Sequence, residues 1–142
     1  MKDLVFILYL SSSVKLLSQK DLRDLLDEIA KLNEKKQITG LLLYHQGNFA
    51  QIIEGTRDHI QSTFNKIKLD QRHRNVTKLI EREIDERLFP SWRMGFQQIS
   101  DDQANKIPGY LNYMNKKKIN DHLSTSPKEI KILFESFIRV NK

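Results

Sequence analysis

Hydrophobic and polar residues follow patterns along the chain that predict a β-sheet. Residues 4–10 are apolar at every position, which is typical of a central strand buried on both faces. Residues 38–45 and 48–54 predict two further strands, and Gln46 and Gly47 between them predict a tight hairpin turn. The first half of the chain therefore favours a sheet with an early hairpin.

Two helical patterns lie between the strands. The first begins after Ser18, which is followed three residues later by Asp21, a combination that caps helix N-termini. Its apolar positions recur at helical spacing, at Leu22, Leu25, Leu26, Ile29 and Leu32. The second follows residues 55–56 and ends near residues 70–73, with apolar positions at Ile60, Phe64 and Ile67.

Two more strands are predicted, at residues 75–84 and 92–99, with Pro90 in the link between them. The order of elements is then β-α-β-β-α-β-β. This order predicts an α+β fold with a ferredoxin-like sheet that carries two helices on one face.

The other face of the sheet needs a cover, because Phe6, Leu8 and Leu10 point to it along the first strand. Ser126 and Pro127 mark a helix start, and residues 101–117 have a helical pattern that breaks at residues 108–109. We therefore predict C-terminal helices over this face. The corresponding division is a domain of residues 1–99 and a helical extension of residues 100–142.

Composition excludes several classes of site. The 142 residues include no cysteine, which rules out disulfides, thiolate nucleophiles and Cys-ligated zinc. The net charge is +6, but the only tight basic run is Lys116–Lys118, which we interpret as a solvated helix end and not as a nucleic-acid site. The longest apolar stretch is too short to span a bilayer, and no signal peptide is recognised, so a cytoplasmic location is expected.

Three polar side chains occupy positions where the patterns call for apolar ones. Asn33 falls near the middle of the apolar stripe of the first helix. Gln51 shares a strand face with Phe49 and Ile53, and Tyr9 alternates with apolar residues on the first strand. Each such group costs about 1–3 kcal/mol if it is buried without a hydrogen-bond partner.

Two interpretations of these polar groups stay open at this point. They pair with each other or with backbone, or they bind a planar heteroaromatic ligand that carries donors and acceptors on one edge, such as the isoalloxazine of a flavin. Leu25 and Ile67 could flank such a ring. A basic pair, Arg72 and His73, could hold a phosphate or simply complement the end of the second helix.

Several spaced motifs resemble the signature of BLUF domains, a family of flavin-binding blue-light photoreceptors. The motifs agree in order over roughly residues 3–97. They are Asn33-x4-Ile38-Thr39-Gly40-Leu41-Leu42-Leu43-Tyr44, Gly47-Asn48-Phe49-Ala50-Gln51-x2-Glu54-Gly55, Asp70-Gln71-Arg72-His73 and Arg87-x-Phe89-x2-Trp92-x-Met94.

The resemblance implies a role for each candidate residue. Tyr9 matches the photoactive tyrosine, Gln51 the glutamine between it and the flavin, and Asn33 the asparagine that holds the polar edge of the ring. Leu25 and Ile67 match its apolar flanks. The remaining matches are Asp70 beside the ring, Arg72 and His73 toward the ribityl-phosphate, and Trp92 and Met94 as the signal relay on one face of the last strand.

The resemblance also implies the cofactor and the mode of action. FAD or FMN is expected, bound non-covalently, in a short photoreceptor that is not an enzyme and signals through its C-terminal helices to an effector protein. Short members of the family commonly self-associate, so a homo-oligomer is expected. Some members have a polar residue before the asparagine, whereas this chain has Leu32, so contacts to the ribityl chain could differ.

Two rival functions come from other classes. A ferredoxin-like module without a cofactor could use its positive charge on nucleic acid or on a protein, and its binding to nucleic acid would be salt-sensitive. An enzyme of acylphosphatase-like topology would need an arginine in the loop after the first strand, and residues 11–15 contain neither arginine nor glycine. The four histidines show no metal-ligand spacing.

Overall fold

A computed structural model of the chain describes residues 3–107 and 126–140. In chain order, its elements are β1 Leu4–Ser13, α1 Gln19–Lys36, β2 Thr39–His45, β3 Asn48–Thr56, α2 Arg57–Leu69, β4 His73–Ile84, β5 Gly95–Gln98, α3 Asp101–Asn105 and α4 Pro127–Val140. The strands form one sheet in the order β4-β1-β3-β2-β5, antiparallel throughout except for the parallel pair β2 and β5. The predicted ferredoxin-like α+β fold is confirmed.

Local signals explain where α1 begins and ends. The Ser18 hydroxyl accepts from the Asp21 backbone N–H at 3.1 Å, and the Asp21 carboxylate accepts from the Ser18 N–H at 3.2 Å. At the other end Gln37 adopts the left-handed conformation, with φ 58°. The backbone N–H groups of Gln37 and Ile38 then bond to the carbonyl oxygens of Glu34 and Asn33, which closes the helix.

The predicted hairpin turn is confirmed at Gln46 and Gly47. Their φ angles are 48° and 84°, both positive, as a two-residue hairpin with the twist of the sheet requires. The turn sets the register between β2 and β3, in which Leu42 lies opposite Gln51. On the other side of β3, Tyr9 of β1 is paired with the same Gln51.

The two faces of the sheet carry separate apolar clusters. Helices α1 and α2 pack on the face that includes Val5, Ile7 and Tyr9, and we call this the cavity face. The opposite, helix-covered face contains Phe6, Leu8, Leu10, Leu41, Leu43, Ala50 and Ile52, packed with Ala104 and Ile107 near α3 and with Ile130 and Phe134 of α4. The predicted C-terminal cover is confirmed for these segments, and residues 108–117 lie outside the described residues.

Several predicted strand boundaries were wrong, and β1 and β3 continue beyond their predicted ends to Ser13 and Thr56. β4 begins at His73 and not at residue 75, because Asn75 takes a positive φ of 57° and lets the chain continue its pairing with β1 through a register shift. β5 begins at Gly95, so Trp92 precedes it. In the described part of the chain, no helix combines the length and apolarity that crossing a membrane would require.

Candidate functional site

A cavity of about 610 Å³ lies between the sheet and the two helices of the cavity face. Leu25 from α1 and Ile67 from α2 line it, as do Gln51 and Ile53 from β3. This volume lies within the range of about 300–1,000 Å³ typical of small-molecule and cofactor sites. The surface of the cavity is mostly apolar, although many polar and charged side chains also line it. This combination suits a flat aromatic ligand that carries polar groups.

Tyr9, Gln51 and Met94 form a chain of hydrogen bonds in the cavity wall. The Tyr9 hydroxyl donates to Oε1 of Gln51, and Nε2 of Gln51 donates to Sδ of Met94 at 3.3 Å. Tyr9 and Gln51 are both buried, with 4% of each exposed. These two bonds fix the orientation of the Gln51 amide, because its Oε1 can only accept a hydrogen bond and its Nε2 can only donate one.

The surroundings of Tyr9 keep its hydroxyl group protonated. Burial raises the pKa of the Tyr9 phenol well above its usual range, and the negative charge of Asp70 raises it further. The ring centroid of Phe64 lies 5.6 Å from that of Tyr9. The phenol is therefore protonated at neutral pH and can act as the donor that the Gln51 oxygen needs.

Asn33 lines the cavity and has a side-chain acceptor without a donor among the described residues. Its side chain is 5% exposed and donates through Nδ2 to the carbonyl oxygen of Arg93 at 2.9 Å. Among the described residues none donates to its Oδ1, and Asn33 lines the cavity. A ligand edge that carries both N–H and C=O groups, such as the pyrimidine ring of a flavin, would supply the missing donor.

Charged groups connect the middle of α1 to the end of α2. Arg72 donates to Glu28 of α1 at 2.6 Å and to Asp70, which follows α2, at 2.7 Å. The hydrogen bond from Arg72 is the main reason that the pKa of Asp70 lies below its usual range. His73 places Nε2 2.5 Å from the Ile67 carbonyl oxygen, which can only accept, so Nε2 carries the proton.

The sequence profile of the BLUF family, described as sensors of blue light using FAD, matches residues 4–95 of the chain. The chain belongs to the BLUF family. It is a flavin-binding blue-light sensor, and the cavity between the sheet and the two helices has a volume and a mostly apolar surface that suit a flavin ring.

Relatives of this BLUF chain support the assignment. Over 89 residues it is 35% identical to photoactivated adenylate cyclase subunit alpha of Euglena gracilis, a match that covers 63% of this chain and 9% of the relative. The chain spans about a tenth of the length of such curated relatives.

Solved structures of similar size show the same fold. BlsA in its photo-activated state is 29% identical, with a TM-score of 0.70 over 95% of this chain and 94% of that one. The dark-state structure of the BLUF protein BlrB has a TM-score of 0.71 at 23% identity, over 100% of this chain and 99% of that one. Both alignments include the C-terminal part of this chain as well as the BLUF core.

The structure brings together most of the residues that the sequence singles out. The cavity of this BLUF domain is lined by Tyr9, Leu25, Asn33, Gln51, Ile67, Asp70, Arg72 and His73. Leu32, at the position where other members carry a polar residue, also lines it and is 55% exposed. The roles that the resemblance assigns to these residues stay predictions.

Trp92 and Met94 do not share a face, so the predicted alternation along the last strand was wrong. Trp92 stacks on Phe89, with ring centroids 5.2 Å apart, and packs against the helix-covered cluster. Met94 packs on the cavity face, where it contacts Gln51. The alternation fails because the chain bends at residues 93–94 and becomes an extended strand only from Gly95.

Three lysines that were not identified as site residues from the sequence line the cavity: Lys15 in the loop before α1, and Lys36 and Lys66 at helix ends. Lys36 and Lys66 both line the cavity, and the Lys36 ammonium donates to the Thr63 hydroxyl at 3.4 Å. Burial lowers the pKa of Lys36, and the neighbouring Lys66 lowers it further. Lys36 and Lys66 lie in the last turns of α1 and α2. From the sequence, a lysine at such a position cannot be distinguished from one that only complements the helix dipole.

Proposed function

We propose that this BLUF domain switches when light moves a proton and an electron from Tyr9 and back, leaving the Gln51 amide rearranged. The bound flavin supplies the absorption of blue light and a transient electron acceptor. Tyr9 holds the proton at its hydroxyl, and Gln51 accepts the hydrogen bond through which that proton leaves. The observation that carries the proposal is the Tyr9–Gln51–Met94 chain in the wall of the cavity.

The amide of Gln51 is the element with two states. Its oxygen faces Tyr9 and its nitrogen faces Met94. A turned or tautomerised amide would exchange donor and acceptor ends, which would change the hydrogen bonds offered to the flavin edge. Because the electron and the proton both return to Tyr9, the switch involves no net redox change.

Asn33 would hold the ring, and Leu25 and Ile67 would flank it. In the described part of the chain nothing donates to Oδ1 of Asn33 or accepts from the second N–H of Gln51, so both could bond to the polar edge of an isoalloxazine. FAD, which the family description names, is the expected form. FMN shares the ring and would use the same contacts. We place Asp70 beside the ring and Arg72 and His73 toward the ribityl-phosphate side.

The output is proposed to pass through Met94 and Trp92 to the C-terminal helices. Residues 1–99 would form the sensor and residues 100–142 the output extension, which acts on an effector protein and not on a substrate. We also propose a homo-oligomer in the cytoplasm. The packing of Trp92 with the cluster that includes Ile130 and Phe134 supports this route.

Replacing the Tyr9 hydroxyl tests the proposed function. We expect Tyr9→Phe to bind flavin, because the cavity keeps its shape, and to lose the light-induced red shift of the flavin absorption. The measurement is the absorption spectrum before and after blue light. Tyr44→Phe is the control, since Tyr44 is equally buried but its hydroxyl accepts from the Leu17 N–H at 3.3 Å, outside the Gln51 network. A full red shift in Tyr9→Phe would refute the role of Tyr9.

A further inference from the structure

A fully buried carboxylate lies outside the cavity and outside the Tyr9–Gln51 network. Glu54 of β3 is 0% exposed and shares the helix-covered face with Ala50 and Ile52. It accepts from the Thr39 hydroxyl at 2.8 Å and from the backbone N–H groups of Leu88 and Phe89 at 2.6 and 2.7 Å. Three donors at one buried carboxylate compensate its loss of hydration.

These bonds hold the start of a segment that crosses the sheet edge. We call residues 87–94 the crossover segment. At its start Arg87 donates to the Thr39 hydroxyl at 3.0 Å and to the Glu54 backbone oxygen at 3.2 Å. The Trp92 N–H then bonds to the Phe89 carbonyl oxygen at 3.2 Å, and the two rings stack within the helix-covered cluster. Glu54 therefore fixes the part of the segment that packs beneath the C-terminal helices.

The other end of the crossover segment forms part of the flavin site. The Arg93 carbonyl oxygen accepts from Asn33 at 2.9 Å, and Met94 accepts from Gln51 at 3.3 Å. Between these two ends, the Trp92 carbonyl oxygen is held by the Gly40 N–H at 3.0 Å. Only residues 90–93 therefore lie between Phe89, which is bonded to Glu54, and Met94, which is bonded to the Gln51 amide.

We infer that Glu54 is a positioning residue of the light response, one that sets how firmly Met94 holds Gln51 in its dark orientation without touching the flavin. The inference rests on the proposed function. In Glu54→Gln the amide has one acceptor oxygen, and its N–H₂ group would face one of the backbone donors that the carboxylate now satisfies. The crossover segment would lose a fixed point, and the contact that returns Gln51 to its dark orientation would weaken.

The test compares Glu54→Gln with Glu86→Gln in the full chain loaded with flavin. Glu86 lies in the same loop and is exposed, so the control makes the same chemical change without the buried bonds. One measurement is the rate at which the red-shifted absorption decays in the dark. The other is the light-induced change in tryptophan emission, which reports on Trp92 alone because the chain has one tryptophan.

We expect Glu54→Gln to keep the red shift, because Tyr9 and Gln51 are intact. Its dark recovery should slow by about threefold or more, and the light-induced change in Trp92 emission should shrink. Glu86→Gln should match the wild type in both. A purely structural role would lower the melting temperature and leave both measurements unchanged in the folded, flavin-loaded fraction.

Thr39→Val provides a second variant if Glu54→Gln does not fold. It removes the hydroxyl that links Arg87 to Glu54 and leaves the two backbone donors on the carboxylate, so a smaller slowing of recovery is expected. Recovery at the wild-type rate or faster, in whichever of the two variants folds, overturns the inference. A wild-type protein without any red shift would instead refute the proposed function, and the positioning role with it.

Discussion

At the scale of single residues, the site depends on polar groups whose protonation and orientation are set by burial. Tyr9 keeps its proton because a phenolate would lose its hydration and would face the charge of Asp70. Asp70 in turn is held ionised mainly by the hydrogen bond from Arg72. A surface ion pair thus influences a buried phenol that has no direct bond to it.

Alkaline pH should reveal this coupling. The folded-state pKa of Tyr9 lies above its ordinary value of about 10, so the stability it contributes is present below pH 10 and is lost as the pH rises further. In Asp70→Asn the Tyr9 pKa should fall but stay elevated, because burial is the larger cause. The loss of stability above about pH 10 should therefore be smaller.

The absorbance of tyrosinate, followed from about pH 9 to pH 13, measures the Tyr9 titration, and urea denaturation over the same range measures the loss of stability. Asp24→Asn is the matched control, because Asp24 also lines the cavity but does not contribute to the pKa of Tyr9. If Asp70→Asn and Asp24→Asn lose stability equally with rising pH, Asp70 does not act on Tyr9.

At the scale of elements, the end of α1 positions Asn33. The left-handed Gln37 turns the chain so that the Ile38 N–H reaches the Asn33 carbonyl oxygen at 2.9 Å. The fully buried Ile38 then leads directly into β2. Asn33 therefore stands in a closed last turn, where its side chain can reach both Arg93 and the cavity.

Replacing Gln37 with glycine should stabilise the protein. Glycine adopts the left-handed conformation without steric cost, so Gln37→Gly should raise the free energy of unfolding by about 0.5–1 kcal/mol. Lys35→Gly, two residues earlier in the helix, should lower it by about 1 kcal/mol. Chemical denaturation of both variants distinguishes the two positions. A destabilised Gln37→Gly would show that the side chain, and not the turn, holds this helix end.

At the scale of the whole molecule, the sheet separates the cavity from the helix-covered face. Tyr9 and Gln51 point to the cavity face, while Phe134 of α4 is fully buried against the opposite face. The crossover segment passes from one face to the other at the edge of β2. A change at Gln51 can therefore reach the helices without passing through the packed interior of the sheet.

The packing of α4 should contribute strongly to stability. Phe134→Ala should cost about 3–5 kcal/mol, because it opens a cavity in the helix-covered cluster. Ile132→Ala, on the same helix but at a side chain that is 58% exposed, should change stability by no more than about 0.5 kcal/mol. Thermal unfolding measures both. Similar melting temperatures for the two variants would show that α4 is not firmly packed.

The sequence predicted much of the site because periodicity is a local property. Alternation along β3 placed Gln51 between Phe49 and Ile53 on one face, and all three line the cavity. The helical spacing of α1 likewise placed Asn33 in its apolar stripe, and Asn33 is buried. The same rule failed at Trp92 and Met94, because side chains alternate only where the backbone is extended and paired.

Glu54 illustrates what the pattern alone could not show. Its position beside Ile52 and Ile53 marks a charged residue in a buried strand, yet nothing local identifies its partners. The donors from Leu88 and Phe89 lie 34 and 35 residues away along the chain. Similarly, two lysines at helix ends become neighbours in one cavity only when the helices pack.

By itself, the sequence determined the order of the elements, the face to which each strand residue points, and the polar groups that need partners. Those properties depend on the backbone repeat and on neighbours a few residues apart. The tertiary structure alone decided which partners these groups find. Gln51 bonds to Met94 and not to Trp92, and Glu54 bonds to the start of the crossover segment. These contacts depend on where the chain crosses the sheet edge, which is settled only when the strands and helices have packed together.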